Sequence, residues 1–179
     1  MEVAKVNYQL FQLINDRAGR VDGLDDVMEF AADRLIYGVF AGFAAIVVWA
    51  LLRRRLEAVA KVFAALLLAF AGAQLLSHLN GQPRPFQTHR VHQLIAHAPG
   101  VSLPSDHATA AFGIALAVGV FLHRGWGMVL LVAAAALGLA RIWVGVHYPG
   151  DIAAALLVAV AAVAVVAHTP FATFVRKST

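Results

Sequence analysis

The stretch "WGMVLLVAAAALGLARIWVGVHYPGDIAAALLVAVAAVAVVAH", residues 126–168, contains two long apolar runs. Between them stand Arg141, His147 and Asp151, with "YPG" at 148–150 breaking the chain. At 1.5 Å per residue each run crosses roughly 25–30 Å as a helix, the thickness of a bilayer's hydrocarbon core. Unpaired backbone polar groups are not tolerated in lipid, so both runs should be transmembrane helices joined by a short polar turn. Proline suits the first position of the second helix.

Three further runs repeat this pattern: about Leu35–Leu52, Val62–Leu79 and His107–Leu122. The last two are expected at about Trp126–Val146 and Ile152–Phe171. The whole chain agrees, with 61% of its 179 residues hydrophobic and 13% charged, and a mean hydropathy of +0.75. A soluble domain carries roughly twice that share of charge. The expected fold is all-α, a membrane bundle of about five helices in one domain, residues 1–179. Its abundant Ala and Gly would let helices approach closely.

Residues 1–33 hold seven of the ten acidic residues and no apolar core of the kind a cleaved leader carries. Val6, Leu10, Phe11 and Ile14 recur at helical spacing, as do Leu24, Val27, Met28 and Phe30. Two amphipathic helices at the membrane interface are expected, parted near Gly19–Gly23, with the transmembrane bundle occupying residues 34–179.

The net charge of +4 and pI near 10 do not point to nucleic acid, because the basic residues sit at the ends of apolar runs rather than in an aromatic-basic stripe. With five spans, Arg53, Arg54, Arg55, Lys61, Arg124, Arg176 and Lys177 share one side. That side is then cytoplasmic, which puts the "HYPGD" turn on the outer face of the cell membrane. The chain has no cysteine, so disulfides, thiolate metal sites and Cys nucleophiles are excluded.

Three polar stretches fall on that outer side: "NGQPRPF" (80–86), "LPSDHATAAFG" (103–113) and "ARIWVGVHYPGD" (140–151). Each residue has a plain reading when taken singly. Ser105 can cap a helix, Arg141 can snorkel, and Asp151 can complement a helix dipole. Together they place two arginines, two histidines, a serine and an aspartate at one membrane face, where ionisable side chains are costly.

Phosphoryl transfer needs such a set. Arg84, Arg141, Ser105 and the amides at Asp106 and His107 could bind the equatorial oxygens. One histidine would attack phosphorus, held in its tautomer by a carboxylate, and the other would protonate the leaving oxygen. A two-metal hydrolase would need more carboxylates than Asp106 and Asp151. No familiar zinc spacing joins His78, His89, His92, His97, His107 and His147, so neither metal nor cofactor is expected.

These motifs resemble the type 2 phosphatidic acid phosphatase superfamily, whose signature runs KxxxxxxRP, PSGH, SRxxxxxHxxxD. Here Arg84-Pro85, "PSDH" at 104–107 and Arg141, His147 and Asp151 stand in register. The resemblance implies His147 as the nucleophile that becomes phosphohistidine, Asp151 as its orienting partner and His107 as the general acid. It implies Arg84, Arg141, Ser105 and the Asp106 amide as phosphate ligands. Three positions depart from the signature: Ser77 replaces its lysine, Asp106 its glycine and Ala140 its serine.

In length and motif detail the chain resembles the bacitracin-resistance type of undecaprenyl pyrophosphate phosphatases, which recycle the polyprenyl carrier of cell-wall synthesis. This implies undecaprenyl diphosphate as substrate. Phosphatidylglycerophosphate and phosphatidic acid are the alternatives with the same chemistry. A non-catalytic lipid-binding membrane protein is the alternative of another class. Arg90, His89, His92 and His97, in the 86–104 loop, are candidates to contact the second phosphate, the first three also to form a lid; the alternative is that they simply decorate an exposed interfacial loop.

Overall fold

The computed structural model describes residues 2–170. The expected end of the last span at Phe171, and the basic residues Arg176 and Lys177, lie outside the described residues. Among the described residues the chain is nearly all helix: α1 (Glu2–Asn15), α2 (Asp22–Asp33), α3 (Leu35–Leu52), α4 (Leu56–Asn80), α5 (Pro85–Thr88), α6 (Asp106–Ala117), α7 (Arg124–Trp143) and α8 (Pro149–His168). A wider π-type turn, Val118–Leu122, extends α6.

Four helices, α3, α4, α7 and α8, are long and apolar enough to cross a membrane. The fifth expected span, α6 with its π turn, covers 106–122 and is shorter. It is the central helix, packed against α4, α7 and α8. Ala108, Ala111, Phe112, Ile114, Ala115 and Ala117 are all buried in the protein. A helix enclosed by neighbours is apolar all round rather than along one stripe.

Small residues set how closely these helices approach. A methyl group on Gly127 of α7 would overlap the Gly119 backbone and meet the Ala115 carbonyl oxygen at 2.9 Å. Several expected boundaries shift by a few residues, among them the start of the last span, at Pro149 rather than Ile152. The second membrane helix starts at Leu56 rather than Val62, since Glu57 and Lys61 pair at 2.7 Å along one helical face. The fourth ends at Trp143 rather than Val146, because Gly145 takes φ +84° and turns the chain out of the helix.

The ends of the bundle differ. At one end Arg55 donates to the Leu122 carbonyl at 2.6 Å, joining the Arg53–Arg55 turn to the end of the π turn beside Arg124. At the other end lie 81–105, 144–148 and the N-terminal helices. There α1 and α2 do more than float at an interface. Phe11 packs with Ile142 and Tyr148, and Ala18 and Ala32 pack with Ala140, Trp143, Val144 and Val146. Their other faces leave Val6, Leu10, Leu13, Val27 and Phe30 exposed, an apolar surface suited to a headgroup layer.

Candidate active site

Three helix starts and one turn meet at this end. Tyr148 precedes α8, Pro149 occupies its first turn, and Asp151 falls at the third position, where its carboxylate accepts the Tyr148 amide at 2.8 Å. The same oxygen, Oδ2, accepts from His147 Nδ1 at 3.2 Å and from Ser102 Oγ at 2.5 Å. Asp151 is fully buried, and its negative charge sits in the first turn of a helix, where the dipole favours it.

His147 sits in the 144–148 turn between α7 and α8 and is 2% exposed. Its Nε2 lies 2.9 Å from Arg84 Nη1. A guanidinium only donates, so Nε2 is the acceptor and the proton is on Nδ1, facing Asp151. Burial pushes the imidazole down to about 4; the hydrogen bond to Asp151 opposes this and the charge of Arg141 adds to it. His147 is therefore neutral near pH 7, with a lone pair aimed at the cations.

Arg84 is placed by a rigid loop. Pro83 bridges to Val101, the Arg84 amide donates to Gln87 Oε1 at 2.9 Å, and Pro85 opens α5. Burial holds its guanidinium below the ordinary value, with the charges of Asp151 and then Asp106 acting the other way. Arg141, in the last turn of α7, is 2% exposed and donates Nη1 to the Ala32 carbonyl at 3.2 Å. Its Nε and Nη2, and the Nε of Arg84, are buried without a partner. Neither arginine forms an ion pair among the described residues. Buried donors without a partner on two cations suit an anion, while Asp151 Oδ1 is a buried acceptor likewise without a partner.

Ser105 caps α6, its Oγ accepting the Ala108 amide at 3.4 Å, and its own amide donates to the Asp151 carbonyl at 3.4 Å. This links the start of α6 to the start of α8. The Asp106 side chain is exposed, and its charge acts on Arg84 and His97. His107 is half-buried. Together with Asp106 it lines an apolar cavity of about 480 Å³ walled by Tyr37, Phe40, Phe70 and Ala73.

The structure thus gathers His147, Asp151, Arg84 and Arg141, with the start of α6 tied to them by backbone. Of the four loop candidates only His97 lies beside His147. His89 stacks on Tyr8 with ring centroids 3.9 Å apart, while Arg90 and the His92 side chain are exposed. His97 turns inward instead, edge-on to His147 at 6.3 Å.

Sequence reasoning missed Ser102 and Asn15. Asn15 is buried and donates Nδ2 to the carbonyls of His92 (2.8 Å) and Trp143 (2.7 Å). Its Oδ1 accepts the His92 amide at 2.9 Å. Nothing local marks either residue, and only Ser102's place three residues before Ser105 hinted at a role. Among the described residues no group of three or more His, Cys, Asp or Glu is placed to hold a metal.

Fold and site together define a multi-pass helical membrane protein with a buried histidine–aspartate pair beside two arginines. Residues 58–174 match the PAP2 superfamily, and the chain belongs to that superfamily of phosphatases. It is 35% identical over 158 residues, 87% of this chain and 79% of the relative, to undecaprenyl-diphosphatase BcrC of Bacillus subtilis. It is 33% identical over 153 residues, 85% of this chain and 76% of the relative, to the putative undecaprenyl-diphosphatase YbjG of Escherichia coli. The crystal structure of Aquifex aeolicus LpxE shares the fold at a TM-score of 0.73 and 24% identity, covering 92% of this chain and 96% of that one.

Proposed function

We propose that this protein removes the terminal phosphate of undecaprenyl diphosphate at the outer face of the cell membrane. The observation that carries the chemistry is His147: Nδ1 bonded to Asp151, and Nε2 2.9 Å from a cation that also faces the anion position. A bound phosphate would take over the Arg84 donor and free the Nε2 lone pair for attack.

In this reading Nε2 forms a bond to the terminal phosphorus as the bond to the bridging oxygen breaks. His107 gives its proton to that oxygen, and undecaprenyl phosphate leaves. His107 then takes a proton from water as the water oxygen attacks phosphorus, the P–N bond breaks, and inorganic phosphate departs. Arg84, Arg141, the Ser105 hydroxyl and the amides of Asp106 and His107 bear the charge on the equatorial oxygens throughout.

The diphosphate reading draws on the names of the relatives. A lipid substrate is favoured by the apolar cavity beside His107, whose walls include the exposed Tyr37, Phe40 and Phe70. The outward orientation draws on the basic Arg53–Arg55, Lys61 and Arg124 cluster, which stands at the opposite end of the bundle from His147.

The test is phosphate release by the purified full chain in detergent, comparing undecaprenyl diphosphate with phosphatidylglycerophosphate and phosphatidic acid. Undecaprenyl diphosphate should have the highest kcat/KM, without added divalent metal. His147→Ala should abolish turnover, and a terminally labelled substrate should leave an acid-labile phosphohistidine on the wild type. A tenfold preference for a monophosphate lipid would overturn the substrate. Absence of release from every lipid would favour a non-catalytic binding protein.

A further inference from the structure

The 89–101 segment has almost no regular structure, yet it is pinned across the site. The His92 backbone is clasped on both sides by Asn15, the Leu94 amide donates to the Val144 carbonyl at 3.2 Å, and the Gly100 amide donates to Gln87 Oε1 at 3.1 Å. Between these anchors Ala96, Ala98 and Pro99 are exposed, whereas His97 is half-buried. Its ring fills the space between Phe86, at 6.5 Å and 47°, and His147, at 6.3 Å and 78°.

We propose that His97 is a further ligand of the phosphoryl group, a donor lowered onto the anion position from the loop that covers it. His97 Nδ1 lies 3.0 Å from the Ala98 carbonyl, an acceptor, so Nδ1 carries the proton and Nε2 is the nitrogen left for a ligand. The charged groups that act on this ring are Arg84, Arg141 and Asp106, and the ring in turn acts on His107. Arg84 and Arg141 are the two residues whose guanidinium nitrogens are buried without a partner.

Burial and then the two arginines hold the His97 imidazole below its ordinary value, against the Ala98 carbonyl and Asp106. A phosphate dianion between the arginines reverses the sign of that field. The ring then takes a proton from solvent at Nε2 and becomes a third cationic donor. His97 thereby answers the charge of the ligand itself, which a permanently charged arginine cannot do. A purely structural ring would only fill space against Phe86.

This inference rests on the phosphatase reading, and the experiment separates the two. Orthovanadate, a mimic of the five-coordinate phosphoryl group, is titrated as an inhibitor of the full chain, and kcat/KM is measured with undecaprenyl diphosphate. His97→Phe keeps the ring and its packing but removes both nitrogens; His97→Gln keeps a donor but not the ring. His97→Phe should weaken vanadate and lower kcat/KM by about 10- to 100-fold, with an unchanged melting temperature. His97→Gln, which keeps a neutral donor but cannot take the proton, should recover only part of both.

Equal vanadate affinity in wild type and His97→Phe would overturn the assignment, as would His97→Gln losing as much as His97→Phe. If the wild type neither binds vanadate nor releases phosphate, the phosphatase reading itself fails.

Discussion

Asn15 makes three hydrogen bonds from one buried amide, and replacing it with alanine separates α1 from the site it braces. The Trp143 carbonyl it serves is buried at the end of α7, so losing its donor leaves an orphan that costs about 1–3 kcal/mol. The two bonds to His92 lie in a part-buried loop that water can reach, and each contributes about 0.5–1.5 kcal/mol. Asn15→Ala should therefore destabilise the protein by about 2–6 kcal/mol. For a chain of this size that lowers the melting temperature by on the order of 5–20 °C.

The same change frees the segment that carries His97, so kcat/KM should fall even at temperatures where the variant is folded. Asn15→Asp is the sharper probe. It keeps the acceptor for the His92 amide but turns a carboxylate oxygen toward two carbonyl oxygens, so it should be worse than alanine at pH 7. Both variants are read by thermal unfolding of the full chain in detergent and by phosphate release. Asn15→Ala melting within about 2 °C of wild type, or Asn15→Asp proving more stable than Asn15→Ala, would refute the reasoning.

Ser102→Ala removes one of three donors from Asp151 Oδ2 and lets the carboxylate and His147 swing, so kcat should drop about 10-fold or more with little change in KM, while Ser102→Thr preserves it. Arg141→Lys keeps a positive charge but loses the planar fork whose Nε and Nη2 are unpartnered, and kcat/KM should fall about a hundredfold. His147 is held down to about 4 from 6.5, so the unfolded chain binds its proton first as the solution is acidified. Its contribution is complete above about pH 6.5 and is lost as pH falls through about 4, amounting to about 3 kcal/mol. The melting temperature should decline over that window, and His147→Gln, which does not titrate, should flatten the decline.

Much of this was legible because the relevant physics is local. Apolar run length and bilayer thickness are enough to call for membrane helices, and Pro149 and Ser105 mark helix starts by their own backbone chemistry. His147 and Asp151 stand four residues apart across a helix start, so the chain itself brings them together. The enclosed α6 was readable as a helix, though its burial by α4, α7 and α8 was not.

The tertiary structure alone decided which loop histidine faces His147. His89, His92 and His97 are equivalent as sequence, and the inward turn of His97 follows from anchors at Asn15, Val144 and Gln87 that are far away along the chain. It also decided that Ser102, 49 residues before Asp151, is a third donor to the carboxylate's Oδ2. Local sequence determines helices and adjacent pairs because backbone geometry has a short reach. Which distant side chain satisfies a buried charge depends on how the helices pack, and only the folded chain contains that information.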